Sequence, residues 1–364
     1  MATSSPFMDK LNTWVTAHLT RVPMDEKILF IHNLQVMIKA GLSLVEALKV
    51  LGEQITNKKL RAAIATIKGV VEKGVEFSEA LREHPSIFPE MYVSMIAAGE
   101  TAGKLEESLE HVADQMKRGH ELISRIRGAL IYPAVIVVAM VGIAIEMFVF
   151  VLPKIIGLFK DVHAELPLST RVLIAMVTFT QNYGIFLVIG TVLFIILAIW
   201  LYRKQKVKRV LHGIYLHLPI AGPIIKKINM AKFSMTLSSL LASTIPIIEA
   251  LKITATVHGN LLYREQLQRV AETLKRGDPL SETLAKNSKL FTPMVIQMIM
   301  VGEQSGQVEH MLQELSEYYS NEVDVTMKNF STIIEPVIIL ALGLAVAGLA
   351  VAVIMPIYSL AQSF

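Results

Sequence analysis

Shifted by 203 residues, the chain matches itself without a gap over about 125 residues, and self-similarity at one fixed offset means two copies of one structural unit. Phe30 falls on Phe233, and Glu46-Ala47-Leu48-Lys49 on Glu249-Ala250-Leu251-Lys252. Gly74 falls on Gly277, Ser78-Glu79 on Ser281-Glu282, and Phe88 on Phe291. Gly99-Glu100 and Gly103 fall on Gly302-Glu303 and Gly306, Glu106 on Glu309, and Leu109 on Leu312. Pro133 and Pro153 fall on Pro336 and Pro356, and each pair brackets a long apolar run. The repeated unit is therefore a polar module followed by an apolar segment.

The apolar segments are long enough to cross a bilayer. Ile131 to Leu152 holds 22 residues, about 33 Å of helix at roughly 1.5 Å per residue. Ile333 to Met355 is of similar length, and the 17 residues Ile185 to Leu201 between them carry no charge. Trp200 and Tyr202 close this middle run as interfacial aromatics do. Hydrophobic residues are 53% of the chain and charged residues 18%, where a soluble domain is nearer a quarter charged. Met1 to Leu19 contains Asp9, Lys10, Asn12 and His18 and no apolar run, so it does not read as a secretory leader.

Lysine and arginine set the expected orientation. Lys117, Arg118, Arg125 and Arg127 precede the first span, and Arg203, Lys204, Lys206, Lys208 and Arg209 follow the second. The positive-inside rule then puts both modules in the cytoplasm and the loop after Pro153 on the far side. The duplication gives the same answer independently. Two modules on one face, each followed by a span, require one extra crossing between them, and the unrepeated middle span supplies it. The basic stretch 203–209 could also suggest nucleic acid, but it adjoins a span and lacks interleaved aromatics, so no nucleic-acid partner is expected and membrane lipid is.

Within each module the pattern predicts only helices. Leu29, Leu34, Val36, Met37 and Ala40 form an apolar face that ends at Gly41. Ser43-x-x-Glu46 is a capping box opening the next helix, and Pro246 replaces the serine in the second copy. Leu60, Ile64, Ile67 and Val71 run at helical spacing to Gly74, and Phe88-Pro89 starts another helix through Ala98. Gly99 to Gly103 reads as a turn, after which Leu105, Leu109 and Val112 begin a last helix that continues toward the span. The expected fold class is an all-α membrane protein, with two duplicated cytoplasmic helical-bundle modules of about six helices each and three transmembrane helices. The boundaries are a short N-terminal segment 1–24, module 1 at 25–128, a span at 129–152, and a periplasmic loop with the start of span two at 153–184. They continue with span two at 185–201, module 2 with its basic linker at 202–332, span three at 333–355, and a periplasmic tail at 356–364.

No catalytic constellation is complete. Gly69-Val70-Val71-Glu72-Lys73-Gly74 spaces two glycines like a phosphate loop, but Val75 and Glu76 stand where Lys and Ser/Thr are required. His120-Glu121-Leu122-Ile123-Ser124 lacks the second histidine of a zinc-protease helix. Gly302-Glu303-Gln304-Ser305-Gly306 puts its serine one place late for a nucleophile turn, and its twin has Ala102. The absence of cysteine excludes disulfides and thiolate metal sites. No enzyme activity, cofactor or metal is expected. Two acids touch the apolar runs, Glu146 inside the first and Glu335 at the start of the third. A charge at a span's centre costs about 2.5–3.5 kcal/mol, so both should face protein or water, or be protonated and neutral. They are candidate intramembrane contacts, for another subunit or a membrane-embedded client, or for a neighbouring helix of the same chain. Glu100, Glu303, Gly99 and Gly302 are candidate cytoplasmic partner or turn positions, and Arg203, Lys204, Lys206, Lys208 and Arg209 are candidate juxtamembrane contacts, with helix capping and lipid headgroups as the alternatives.

Certain motifs give a resemblance: Gly41-Leu42-Ser43-Leu44-Val45-Glu46-Ala47-Leu48, Gly99-Glu100 with Gly103, and Tyr132-Pro133 in the first copy. In the second they are Ile245-Pro246-Ile247-Ile248-Glu249-Ala250-Leu251, Gly302 to Gly306, Glu335-Pro336 and Met355-Pro356-Ile357. In two copies with three spans, they resemble the type II secretion protein F family, which includes the platform proteins of type IV pili. The resemblance implies an oligomeric protein of the bacterial inner membrane. Its cytoplasmic modules would meet a hexameric pilus or secretion ATPase, its spans would meet pilin or pseudopilin helices, and other inner-membrane assembly proteins would join them. It implies a platform that couples the ATPase to pilin extraction and polymerisation in a type IV pilus machine, with type II secretion as the alternative. A transporter or channel subunit is a second alternative. Many members carry a longer, strand-containing N-terminal region before the first module than the roughly 25 residues found here.

Overall fold

A computed structural model describes residues 22–154, 168–286 and 289–361. All regular structure among them is helical. Module 1 contains α1 (Met24–Lys39), α2 (Leu44–Gln54), α3 (Lys58–Val71), α4 (Phe77–Arg82), α5 (Glu90–Thr101) and the start of α6 (Leu105–Glu146). A π-helical turn (Met147–Val151) follows α6. Then come α7 (Leu168–Tyr202), α8 (Gln205–His217), α9 (Ala221–Ala242), α10 (Ile247–Val257), α11 (Leu261–Leu274), α12 (Leu280–Ala285), α13 (Pro293–Ser305) and α14 (Val308–Ala361). The starts of α2 and α10, α3 and α11, α4 and α12, α5 and α13, and α6 and α14 are each separated by the repeat offset of 203 residues.

Local chemistry explains the shared boundaries. Ser43 Oγ accepts from Glu46 N at 3.3 Å, one half of the expected capping box. Asn57 Oδ1 accepts from Lys59 N and Leu60 N at 3.0 and 3.2 Å, and Asn260, its repeat equivalent, accepts from Leu262 N at 3.0 Å. The first helix of module 1 ends at Gly41, with φ +89°, and Leu42 N reaches back to Met37 O at 3.1 Å. In module 2 the same left-handed position is held by Thr244, with φ +60°. A β-branched residue is strained there, and the closing bond from Ile245 N to Leu240 O, 3.1 Å, keeps the turn in place.

The described residues form two compact units. The first joins residues up to 123 with 212–323, and so holds both modules. Each module has its own core around an aromatic pair that the duplication preserves. Phe30 and Phe88 lie 5.9 Å apart in one, and Phe233 and Phe291 lie 5.4 Å apart in the other. Leu34, Leu48, Leu60, Ile64, Ile67 and Phe77 close the first core, and Leu237, Leu251, Tyr263, Leu267, Val270 and Leu284 the second.

The second unit joins 124–211 with the residues from 324 onward. Here the usual inside-out rule is reversed, with Val138 and Ile185 each 71% exposed and Leu344 75% exposed. Apolar side chains turned outward all along a helix suit hydrocarbon, not water. Among the described residues, three helices are long and apolar enough to cross a membrane. Within the stretch 153–184, expected to hold a loop and the start of span two, α7 begins at Leu168. The reason is visible in its packing, since Ile174 and Val177 meet Phe148 and Leu152 in a small apolar cluster. The expected N-terminal segment (all but 22–24), loop residues 155–167 and the tail after 361 lie outside the described residues.

Candidate functional site

The repeated Gly-Glu pair sits in the last turn of α5 and of α13, not in the turn that follows. In module 1 the helix runs on to Thr101, and the chain reverses at Gly103, with φ +68°. Gly99 is required by close approach. A Cβ there would lie 2.2 Å from Ser108 Cβ on α6. At Gly302 the added atom would lie 2.8 Å from Val308 Cα on α14. The glutamates point back into their own modules. Glu100 accepts from the backbone amides of Phe77 and Ser78, at 2.6 and 2.9 Å. Glu303 accepts from those of Leu280 and Ser281, at 2.5 and 3.1 Å. Each carboxylate thus caps the first turn of a six-residue helix, α4 or α12, where the free amides and the helix dipole favour an anion.

The two acids on the apolar helices have different surroundings. Glu335 accepts a hydrogen bond from Tyr132 OH at 3.4 Å, so two residues separated by the repeat offset meet side chain to side chain. Nearby, Ser331 Oγ donates to Ala129 O at 3.1 Å, tying α14 to α6. Glu146 is the last residue of α6, is exposed, and has no partner among the described residues. The π turn begins directly after it and packs on α7. Such turns are frequent at functional positions. The basic stretch follows the end of α7. Lys204 Nζ lies 4.0 Å from the centre of the Trp200 ring, and Lys208 Nζ lies 5.7 Å from that of Tyr202. These cation–π contacts anchor both lysines beside the interfacial aromatics. Arg203 and Lys206 are exposed, and Arg209 has interactions of its own.

Other polar groups carried no signal in the sequence. Lys27 is buried and donates to Ile87 O at 2.7 Å. His258 is fully buried in module 2, stacked on Tyr263, with Nδ1 3.1 Å from Asn229 Oδ1 and Nε2 without a partner. Burial, reinforced by the nearby charges of Lys232 and Arg264, pushes its pKa down to about 3. The module 1 equivalent is Ile55, so no periodicity or motif marked this site. Between the modules, within the first unit, a cleft of about 210 Å³ is lined by His111, Asp114, Arg118, Ser239, Ala242 and Glu309. Among the described residues, no group of three or more His, Asp and Glu side chains is placed to hold a metal ion.

Twin six-helix modules, each closed by a Gly-Glu pair and each running into an apolar span, define a class of duplicated helical membrane protein. The sequence pattern of the family described as type II secretion system protein F matches residues 30–153 and 233–356, two stretches at the repeat offset. The chain belongs to that family. It is 32% identical to the type IV pilus assembly protein PilC of Myxococcus xanthus, over 92% of this chain and 80% of that protein. It is 34% identical to PilC of Thermus thermophilus, over 91% of this chain and 82% of that protein. It is 33% identical to the type II secretion system protein F of Vibrio cholerae, over 90% of this chain and 81% of that protein.

Proposed function

We propose that this chain is the inner-membrane platform of a type IV pilus assembly machine, and that it performs no chemistry of its own. The observation that carries this reading is the form of α6 and α14. Each is one unbroken helix that starts in a module and ends as a span. In this reading a push or turn on a module is passed along the same helix toward its apolar segment. The relatives named as pilus assembly proteins support the pilus reading. The Vibrio cholerae relative supports a second one, a type II secretion platform that drives pseudopilus assembly.

In this reading the modules face the cytoplasm and meet a hexameric ATPase, which supplies the energy. The spans receive the pilin helix as it leaves the bilayer, and other inner-membrane assembly proteins complete the platform. Glu146 is the residue we assign to pilin contact, since a carboxylate on an outward face of a span is stabilised by a polar or cationic group from a neighbouring helix. Arg203 to Arg209 is assigned to the ATPase or to anionic headgroups. The test is purification from membranes in mild detergent with neighbouring gene products. The ATPase and the pilin should co-purify, and deletion of the gene should abolish surface pili. Loss of a secreted protein with pili intact would favour the secretion reading. Glu146→Gln should reduce crosslinking to the pilin while the protein accumulates normally, and unchanged crosslinking would remove that role.

A further inference from the structure

The two modules are alike in sequence and fold, yet they do not present like faces to each other. Module 1 offers α5 and α6, and module 2 receives them on α10 and α9. The covered stripe of α9 is Met235, Ser239 and Ala242. Met235 is 5% exposed, and its Cε lies 3.9 Å from where a Cβ on Gly119 of α6 would be. Ser239 Oγ donates to Gln115 Oε1 of α6 at 2.7 Å, and Gln115 is 3% exposed. Ala242 lines the cleft with His111 and Asp114 of α6.

The repeat places an equivalent stripe on α1, made of His32, Val36 and Lys39, with Leu29 one turn earlier. This one is open, with Val36 47% and Leu29 58% exposed. The equivalent of the covering face lies on α14, where Tyr318 stands for Gln115 and is 43% exposed. Glu314 and Glu317 stand there for His111 and Asp114. The substitutions are complementary. The hydrogen-bonded pair Ser239 and Gln115 is replaced by an apolar pair, Val36 and Tyr318. Lys39, in the place of Ala242, pairs at the surface with Glu106 of its own α6 at 3.2 Å, and on docking would exchange that partner for Glu314 and Glu317. A polar junction made inside the chain has a counterpart whose large side chains, Leu29, Val36 and Tyr318, the chain leaves exposed.

We propose that α1 of one chain docks on α14 of a second copy of this chain, as α9 docks on α6 within one chain. The contact is head-to-tail, so it continues from chain to chain and builds a closed ring or an open row of modules. It differs from a symmetric dimer, in which α1 would meet α1. The proposal does not rest on which machine the chain serves.

The chain has no cysteine, which makes crosslinking direct. Full-length Val36→Cys and Tyr318→Cys chains with different tags are co-expressed and oxidised in native membranes. The expected product is a disulfide-linked heterodimer carrying both tags, with neither variant crosslinking to itself. The double variant should form dimers and higher species. Lys39→Glu should lose most of this crosslinking, and Glu314→Lys with Glu317→Lys should restore it. A Gln115→Cys, Ser239→Cys chain, crosslinking within itself, confirms that the modules are folded. The proposal is overturned if that control forms while the Val36 and Tyr318 pair stays uncrosslinked. It is also overturned if the double variant closes only within one chain, or if Val36→Cys links to itself.

Discussion

At single positions the two modules resolve the same geometric demand with different atoms. Gly99 is pressed against the Ser108 side chain and Gly302 against the Val308 backbone, so the glycine is common while its neighbour is not. His258 has no such twin, and its burial gives a pH dependence whose sign is fixed. Its folded pKa is about 3 against an ordinary 6.5. Above pH 6.5 both folded and unfolded forms hold a neutral ring, and the histidine adds nothing. As pH falls below 6.5 the unfolded chain takes up a proton that the folded chain refuses, so stability declines, by about 1.4 kcal/mol per unit, down to about pH 3. Thermal unfolding of the detergent-solubilised protein should show this loss between pH 6.5 and 3. His258→Gln should flatten the part of the slope due to this site, and an unchanged slope would show that other groups carry it.

At the scale of elements, α4 and α12 are the weakest pieces, because six residues do not sustain a helix alone. Glu100 and Glu303 hold them from 23 residues away, through amides at the first turn. Glu100→Ala or Glu303→Ala should therefore destabilise its module by about 1–2 kcal/mol, with Gln recovering part of the loss. Faster amide hydrogen exchange confined first to Phe77–Arg82, or to Leu280–Ala285, would identify the cap as the cause. Equal exchange in wild type and variant would refute it. The capping serine at Ser43 and the stop at Gly41 were legible in the sequence because they act within a few residues. For Glu100 and Glu303 the sequence left capping as one alternative to a partner contact, since nothing local distinguishes a carboxylate that reaches another helix from one that meets solvent. Where within 153–184 the second span begins is likewise not local, because Ile174 and Val177 of α7 pack on Phe148 and Leu152.

For the molecule as a whole, the testable statement is topological. Lys73 and Arg276 are exposed residues at equivalent places in the two modules, and Lys154 follows the first span. Single cysteines at Lys73 and Arg276 should react with a membrane-impermeant maleimide only after the cytoplasmic face is opened. A cysteine at Lys154 should react in intact spheroplasts. Modification of the two modules from opposite sides would break the argument that the middle span exists to return the chain.

The sequence by itself determined the duplication, the helical class, the number of apolar crossings and most helix ends. All of these follow from periodicity, charge and residues within one helical turn of each other. Tertiary structure alone decided that the Gly-Glu pair is a closure and cap, that Tyr132 meets Glu335, that His258 is sealed from water, and that one module's face is covered while its equivalent is open. Each of these depends on which surfaces come together across many residues, and no pattern within one helical turn encodes that.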